Sequence, residues 1–335
     1  MTELLKKLRK KVLIEKKALE FLEKNSQLLP KVLELINLQK IGFLTYQKLQ
    51  NLFLTKPKIE IKFIKRLEKK EKVSVLDYHS LRIKRYEYFQ KVLRSRIELV
   101  NLISINKITP RTKVFSLIGM VSKINDDSVV LEDLTGQIEV KFIKKEFLVE
   151  DEVIGVVCNK KNEEILVKKT IFPDLPFQKR LKKTKEPYFF HFLTQEFLEA
   201  YEKKFERWLE DHPNSWVFLL GNNEKYYDFS KLGNPAYFSF LDFVILLSSS
   251  EFLEKYGGVK EEILKSLLKK RHLNPKMNKE LNDFYLLDPI PDLIVLKAEE
   301  TKFFNYKGVS LLLCGPESFL SFNTKSREIL KTSFG

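Results

Sequence analysis

This sequence has little of what builds covalent scaffolds or metal centres: two cysteines, Cys158 and Cys314, and four histidines, His79, His191, His212 and His272, among 335 residues. The cysteines lie far apart in apolar segments and show no CxxC spacing, which excludes a disulfide framework and a structural zinc site. Both read as buried thiols. There is no GxxxxGK[ST] phosphate loop, no GxSxG elbow and no GxGxxG turn, and Gly257-Gly258 alone is a turn signal. No apolar run reaches signal or membrane-spanning length, and lysines recur every few residues from the start, so a cytoplasmic setting without membrane insertion is expected. No internal repeat stands out, nor any low-complexity tract beyond the lysine clusters.

What is present suits a folded protein. The chain is 44% hydrophobic and 12% aromatic, and it is long enough for two or three domains with their own cores. Sixty Lys and Arg against 45 Asp and Glu leave a formal charge of +15. That excess favours a polyanionic partner such as DNA or an acidic protein surface, or else reflects a lysine-rich chain with solvated faces.

Residues 4–41 carry a helical period, with Leu4, Leu8 and Val12 four apart and Pro30 placed for a first helical turn. The basic run Lys6, Lys7, Arg9, Lys10, Lys11 decorates the first helix, as a DNA contact or as a solvated face. Residues 43–55 predict one more short helix through Tyr46, Leu49, Leu52 and Phe53. Residues 56–74 read as a charged linker with a single short strand at 59–63. Residues 76–96 predict a helix in which Arg82, Arg85, Arg94 and Arg96 serve either as phosphate contacts or as solubilising and capping groups.

The most informative stretch is FSLIGMVSKINDDSVVLEDLTGQIEVKF at residues 115–142. Val129 and Leu131, then Ile138, Val140 and Phe142, alternate with polar neighbours across the turn formers Asp133-Leu134-Thr135-Gly136, which predicts a hairpin apolar on one face. With strands at 115–121, 153–157 and 165–167, five short strands suggest a small, partly open barrel of the OB type. Such a barrel binds single strands or serves as a docking surface, and periodicity does not choose between them. After it, QKRLKKTK at 178–185 is a compact cationic run, whose Lys179, Arg180, Lys182 and Lys183 are further candidates for DNA contact by charge. Strands at 187–192, 216–220 and 243–247 alternate with helices around 197–208 and 264–272, predicting an α/β layer.

The wording of several phrases resembles one family. GMV at the end of a strand, LEDLTGQIEV in the hairpin and IFPDLP at the barrel exit resemble the small subunit of archaeal family D DNA polymerase, related to the B subunits of eukaryotic replicative polymerases. GNPA at 233–236, RHLNP at 271–275, PD at 291–292 and NYKG at 305–308 follow in the family's order. The resemblance implies an α+β multidomain chain: an N-terminal helical module (1–55), a linker and lead-in helix (56–98), an OB-fold domain (99–176) and a truncated calcineurin-like α/β phosphoesterase domain (177–335).

It also implies where a two-metal site should lie, and those phrases are changed. Where the family has Asp-x-His, this chain reads Phe189-Phe190-His191. Its GNHD counterpart is Gly221-Asn222-Asn223-Glu224, its GD-x-x-D phrase has no counterpart, and its later histidines fall at Ser248-Ser249 and at Lys297-Ala298-Glu299-Glu300. A two-metal phosphodiesterase holds its cations about 3.5 to 4 Å apart with several converging carboxylates and imidazoles. His191, Asn222, Asn223, Glu224, Ser248, Ala298 and Glu300 are therefore expected to be vestigial positions, with no cofactor beyond weak Mg²⁺ or Mn²⁺, and His191 to be packed in the core. The resulting expectation is a non-catalytic subunit that braces a large catalytic polymerase subunit on DNA. The alternatives are an active metal-dependent 3′–5′ exonuclease built on His191, Asn222, Glu224, Glu299 and Glu300, and a stand-alone single-stranded-DNA-binding barrel. The latter is weakened because Phe142 and Phe147 are the only aromatics between Gly119 and Lys169.

Overall fold

The computed structural model describes residues 3–334 apart from 25, 40–41, 47–48, 50–59, 67–73, 145, 178, 213 and 278–282. Its first elements are helices α1 (Glu3–Lys11), α2 (Lys16–Lys24) and α3 (Leu29–Gln39), with the short strands β1 (Leu13–Ile14) and β2 (Phe43–Leu44) between and after them. The strands pair in parallel, Leu13 opposite Phe43 and Ile14 opposite Leu44. Leu5, Leu8, Val12, Leu22, Val32, Ile36 and Leu44 are buried together beneath them. Residues 43–44 are thus strand rather than the start of a helix, because the backbone N–H groups of Leu13 and Glu15 are satisfied by the carbonyls of Gly42 and Leu44. Most of the helix expected to follow lies outside the described residues.

Strand β3 (Lys62–Lys65) precedes the long helix α4 (Val75–Arg94). Ser74 opens α4 with a capping box: its hydroxyl accepts from the Asp77 N–H, and the Asp77 carboxylate accepts from the Ser74 N–H. One face of α4 places Tyr86, Phe89 and Leu93 against Ile118, Met120, Val153 and Ile171 on the outside of the barrel.

The barrel comprises β4 (Val114–Ile124), β5 (Ser128–Asp133), β6 (Gly136–Phe142), β7 (Val153–Lys161) and β8 (Glu164–Ile171), closed in the order β4-β5-β6-β8-β7. The hairpin pairs as the alternation implies, with Val129 opposite Val140 and Leu131 opposite Ile138. The barrel is closed rather than partly open, because β6 and β8 form a short parallel pair, Lys141 with Leu166 and Phe142 with Val167. Phe115, Leu117, Val121, Val129, Leu131, Val140, Ile154, Val156 and Cys158 fill its interior. Gly119 is required by close approach: a Cβ there would sit 2.9 Å from that of Leu131.

The remaining elements are β9 (Phe189–Thr194), α5 (Gln195–Glu210), β10 (Ser215–Leu220), α6 (Phe229–Leu232), β11 (Ala236–Phe240), β12 (Phe243–Ser248), α7 (Glu261–Lys269) and β13 (Leu293–Lys297). They continue with β14 (Lys302–Tyr306), β15 (Val309–Cys314), β16 (Phe319–Asn323) and β17 (Ile329–Thr332). Two sheets result, β10-β9-β16-β17 and β14-β15-β13-β12-β11-β3. They share an aromatic-rich core of Phe190, Phe192, Phe218 and Phe322 from one sheet with Phe238, Phe240, Phe243 and Ile245 from the other. Helix α5 covers the outer face of the first sheet, and α7 with the segment around Phe284 and Leu287 covers the second. Strand β3, in the stretch read as linker, is the edge strand beside β11. Among the described residues no helix is long and apolar enough to cross a membrane.

Candidate functional site

Five parallel-running strands deliver their carboxyl ends to one rim: β9 and β10 in the first sheet, β12, β13 and β15 in the second. Ligands of layered α/β sheets bind outside such strand ends. A cleft of about 650 Å³ lies there, lined by Ser249, Ser250, Lys260, Lys297, Ala298 and Glu299 among others.

Several of the rim's polar groups are engaged within the protein. Ser248 is buried at the end of β12 with its hydroxyl 2.9 Å from that of Tyr285, and the Ser249 N–H donates to Asn234 Oδ1 at 2.9 Å. The Ala298 N–H donates to the Cys314 carbonyl, and exposed Glu300 pairs with Lys302. After β10, Gly221 packs so tightly on Gln195 that a Cβ would fall 2.6 Å from it. The Asn222 N–H donates to Gln195 Oε1, the Asn223 N–H to Asp228, and Asn223 Oδ1 accepts from the Lys225 N–H. Glu224 is exposed. Across the rim Lys297 forms an ion pair with Glu196 at 2.5 Å, so a lysine ammonium already sits among the strand ends. Among the described residues no three His, Cys, Asp or Glu side chains are grouped to hold a metal ion. The side chains present do not fit a two-cation centre.

His191 is not at the rim. It lies three residues before the end of β9, fully buried, with Nδ1 2.8 Å from Ser321 Oγ and Nε2 2.7 Å from Ser215 Oγ. Its ring packs edge-on to Trp208 and Phe319, on the α5 side of the sheet. Strand β9 ends at Thr194, three residues past His191, so Thr194 and the first residues of α5, Gln195 and Glu196, stand at the rim.

Three of the landmark phrases meet at a different place, the junction between barrel and sandwich. Asp174 of IFPDLP donates its N–H to the Lys269 carbonyl at 2.7 Å, and its own carbonyl accepts from Arg271 of RHLNP. The Asp174 carboxylate takes Tyr306 Oη at 3.0 Å and Lys307, both from NYKG. Three of the four α4-region arginines are consumed beside it. Arg85, 2% exposed, holds the Asp283 carboxylate through Nε at 3.0 Å and through Nη2, and donates to the carbonyls of Asp151 and Pro275. Arg82 pairs with Asp151 and Glu132, and Arg96 donates to the Pro173 carbonyl. Of these four expected DNA contacts only Arg94 is exposed. Lys270 and Glu152, both buried, form a further ion pair at 2.5 Å. The charge pattern alone could not separate inward from outward cations, because their partners are remote; Asp283 lies 198 residues from Arg85.

His272 belongs to this network. Its Nδ1 accepts from the Asn274 N–H at 3.1 Å, so Nε2 carries the proton toward Asp283 at 3.3 Å. Burial and then the Arg85 charge push the imidazole down to about 4, outweighing the hydrogen bond and charge of Asp283, which favour protonation. The folded protein therefore keeps His272 neutral while the unfolded chain protonates it near its ordinary value. Stability from this group is complete above about pH 6.5 and falls by about 3 kcal/mol as pH drops toward 4. Urea midpoints measured between pH 7 and 4.5 should fall steeply for the wild-type chain and more shallowly for His272→Gln; equal slopes would contradict this assignment.

The strap between the barrel and β9 divides its lysines in the same way. Half-buried Lys179 and exposed Lys182 both reach the wholly buried Asp292 carboxylate, at 2.9 and 3.4 Å, whereas Arg180 and Lys183 are exposed without such a partner among the described residues. Asp292, from the PD phrase, also accepts the Val244 N–H at 2.9 Å.

The fold and rim define a mixed α/β chain in which a closed OB-type barrel is bolted to a two-sheet layer, with no convergent metal ligands at its strand ends among the described residues. No family model matches it. Sequence comparison finds the DNA polymerase II small subunit of Archaeoglobus fulgidus, 29% identical over 137 residues, covering 38% of this chain and 28% of that protein. The DNA polymerase II small subunit of Methanothermobacter thermautotrophicus is 31% identical over 144 residues, covering 37% and 29%. That of Thermoplasma acidophilum is 28% identical over 119 residues, covering 31% and 24%. The resemblance to the small subunit of archaeal family D polymerase is thereby borne out, although the chain spans under a third of the length of the relatives it matches. Among solved structures, the S. pombe Stn1-Ten1 complex (17% identity, TM-score 0.19) covers 21% of this chain and 72% of its own. The OB domain of Ta0387 from Thermoplasma acidophilum (17% identity, TM-score 0.18) covers 21% and 82%. The barrel assignment rests on this chain's own strand pairing.

Proposed function

We propose that this chain is a non-catalytic small subunit of an archaeal family D replicative DNA polymerase, bracing a large catalytic subunit on DNA in the cytoplasm. In this reading residues 1–55 form a helical module, 56–98 a linker and lead-in helix, 99–176 an OB-fold domain and 177–335 a degenerate calcineurin-like phosphoesterase domain that binds no metal, or Mg²⁺ or Mn²⁺ only weakly. The observation that carries it is the contrast between two regions. Three of the phrases that resemble the polymerase subunits, IFPDLP, RHLNP and NYKG, converge on the Asp174 junction, where they fasten barrel to sandwich. The strand-end rim has instead acquired a Lys297–Glu196 ion pair. Packing phrases engaged at the junction beside a rim whose described side chains do not converge on a metal are what a bracing subunit requires. An exonuclease reading would need carboxylates and imidazoles to converge at the rim, and His191 lies in the core.

Co-expression with the large polymerase subunit of the same organism tests the partnership. The two chains should co-elute as a stable complex on size exclusion at micromolar concentration. Separate elution would count against the bracing role.

A further inference from the structure

The strap at residues 177–188 carries features that the bracing role leaves unused. It is fastened from beneath: Lys179 and Lys182 grip Asp292, and Thr184 donates its N–H to the Thr324 carbonyl at 3.1 Å and exchanges a hydroxyl bond with Thr324 at 2.6 Å. The backbone that carries Arg180 and Lys183 is therefore anchored on both sides. Arg180, Lys183 and Lys185 are exposed and make no ion pair among the described residues, and exposed Lys325 follows Thr324 on the turn to which Thr184 is tied. An open trough of about 900 Å³ separates the strap from Leu241, Asp242 and Phe243, with Tyr188 in its wall. Glu186 and Asp242 line it too, leaving cations in excess. Phe177, 86% exposed, precedes Arg180 by three residues in the chain.

Cations alone would suit any polyanion, whereas a solvent-exposed aromatic ring three residues from Arg180 in the chain adds a surface on which an unstacked base can lie. Duplex DNA offers its phosphates but no free base face. In the barrel region Phe142 is packed against the interior cluster, and the cation over the 40% exposed Phe147 ring is Lys270, which is already paired with Glu152. We propose that the strap binds single-stranded nucleic acid, with Arg180, Lys183 and Lys185 on the phosphates and Phe177 stacked on a base. The inference deepens the proposed role on DNA and takes its biological setting from it, but the contact belongs to this chain alone.

Fluorescence anisotropy of the full chain with a labelled oligothymidylate, over a series of NaCl concentrations, tests it. The substituted side chains are exposed, so circular dichroism should be unchanged in every variant. Arg180→Ala/Lys183→Ala/Lys185→Ala should weaken binding and flatten the plot of log affinity against log salt by about 2, at roughly 0.7 per phosphate contact. Phe177→Ala should cost on the order of tenfold in affinity with the slope unchanged, and Phe177→Trp should retain binding. The proposal is overturned if the triple variant binds like the wild type, or if Phe177→Ala loses nothing and a duplex of equal length binds as tightly. It is equally overturned if Phe177→Ala spares oligonucleotide binding but weakens capture of the large subunit, which would make the strap a protein contact. Because no large subunit is present in the binding assay, failure of the bracing role and failure of this inference are separately visible.

Discussion

Replacing Arg85 by methionine should lower the unfolding free energy by about 3 to 5 kcal/mol, the usual cost of removing one partner from a buried ion pair. Arg85 sits on the inner side of α4 with its guanidinium 2% exposed, and its charge is matched by Asp283 in the segment that covers the second sheet. Methionine fills much of the volume but leaves the Asp283 carboxylate with less compensation and removes donors from the Asp151 and Pro275 carbonyls. Burial by itself would raise the Asp283 carboxyl; the His272 hydrogen bond and the Arg85 charge together hold it well below the usual carboxylate range. Without Arg85 that carboxyl titrates higher, so the deficit should be greatest near neutral pH and shrink in acid, where Asp283 protonates. Arg85→Lys should fall between, because one ammonium cannot reproduce the planar fork that reaches three acceptors. Urea unfolding at pH 7 checks the order. A loss below about 0.5 kcal/mol for Arg85→Met, the range of an ordinary surface substitution, would remove the junction from the account.

The second large effect is expected at Lys270 and Glu152. Both side chains are 1–2% exposed, and the ammonium also donates to the Phe147 carbonyl at 2.7 Å and lies over the Phe172 ring. Burial raises the Glu152 carboxyl, and the Lys270 charge opposes that rise. Lys270→Met should therefore strand a buried acid, and Glu152→Gln a buried ammonium, each costing about 3 to 5 kcal/mol. The double variant strands neither, and glutamine retains an oxygen for the Val149 N–H that Glu152 Oε1 accepts. Its loss should be smaller than the sum of the singles by at least about 2 kcal/mol, a coupling readable in a double-mutant cycle. Additivity within about 0.5 kcal/mol would show that the pair does not clamp the barrel to α7.

Local pattern made the hairpin at 128–142 legible, since strict alternation across a turn specifies both strand and register. Helices α4 and α5 were legible for the same reason, through apolar residues at helical spacing. Barrel closure was not, because the parallel contact of β6 with β8 involves two residue pairs and leaves no periodic trace. Nor were β1 and β2, which at two residues each are shorter than any period. The family phrases marked positions that matter, but their roles were only half readable. Asp174, Arg271, Tyr306 and Lys307 are scattered over more than 130 residues and become a clamp only when the chain is folded. His191 lies packed in the core as expected, but the place of the rim was not legible, because a strand's end is not marked in an apolar run and β9 continues three residues past the histidine to Thr194.

The central claim is that the strand-end rim no longer performs phosphodiester chemistry while the chain still belongs to a polymerase assembly. The most direct measurement is Mn²⁺-dependent 3′–5′ degradation of end-labelled DNA by the purified chain and by its complex with the large subunit. The account predicts a stable complex and no degradation by either sample beyond a metal-free control. Degradation by the isolated chain that disappears in Asn222→Ala or Glu299→Ala would contradict it, and would mean that the rim assembles a metal site from side chains that here stand apart.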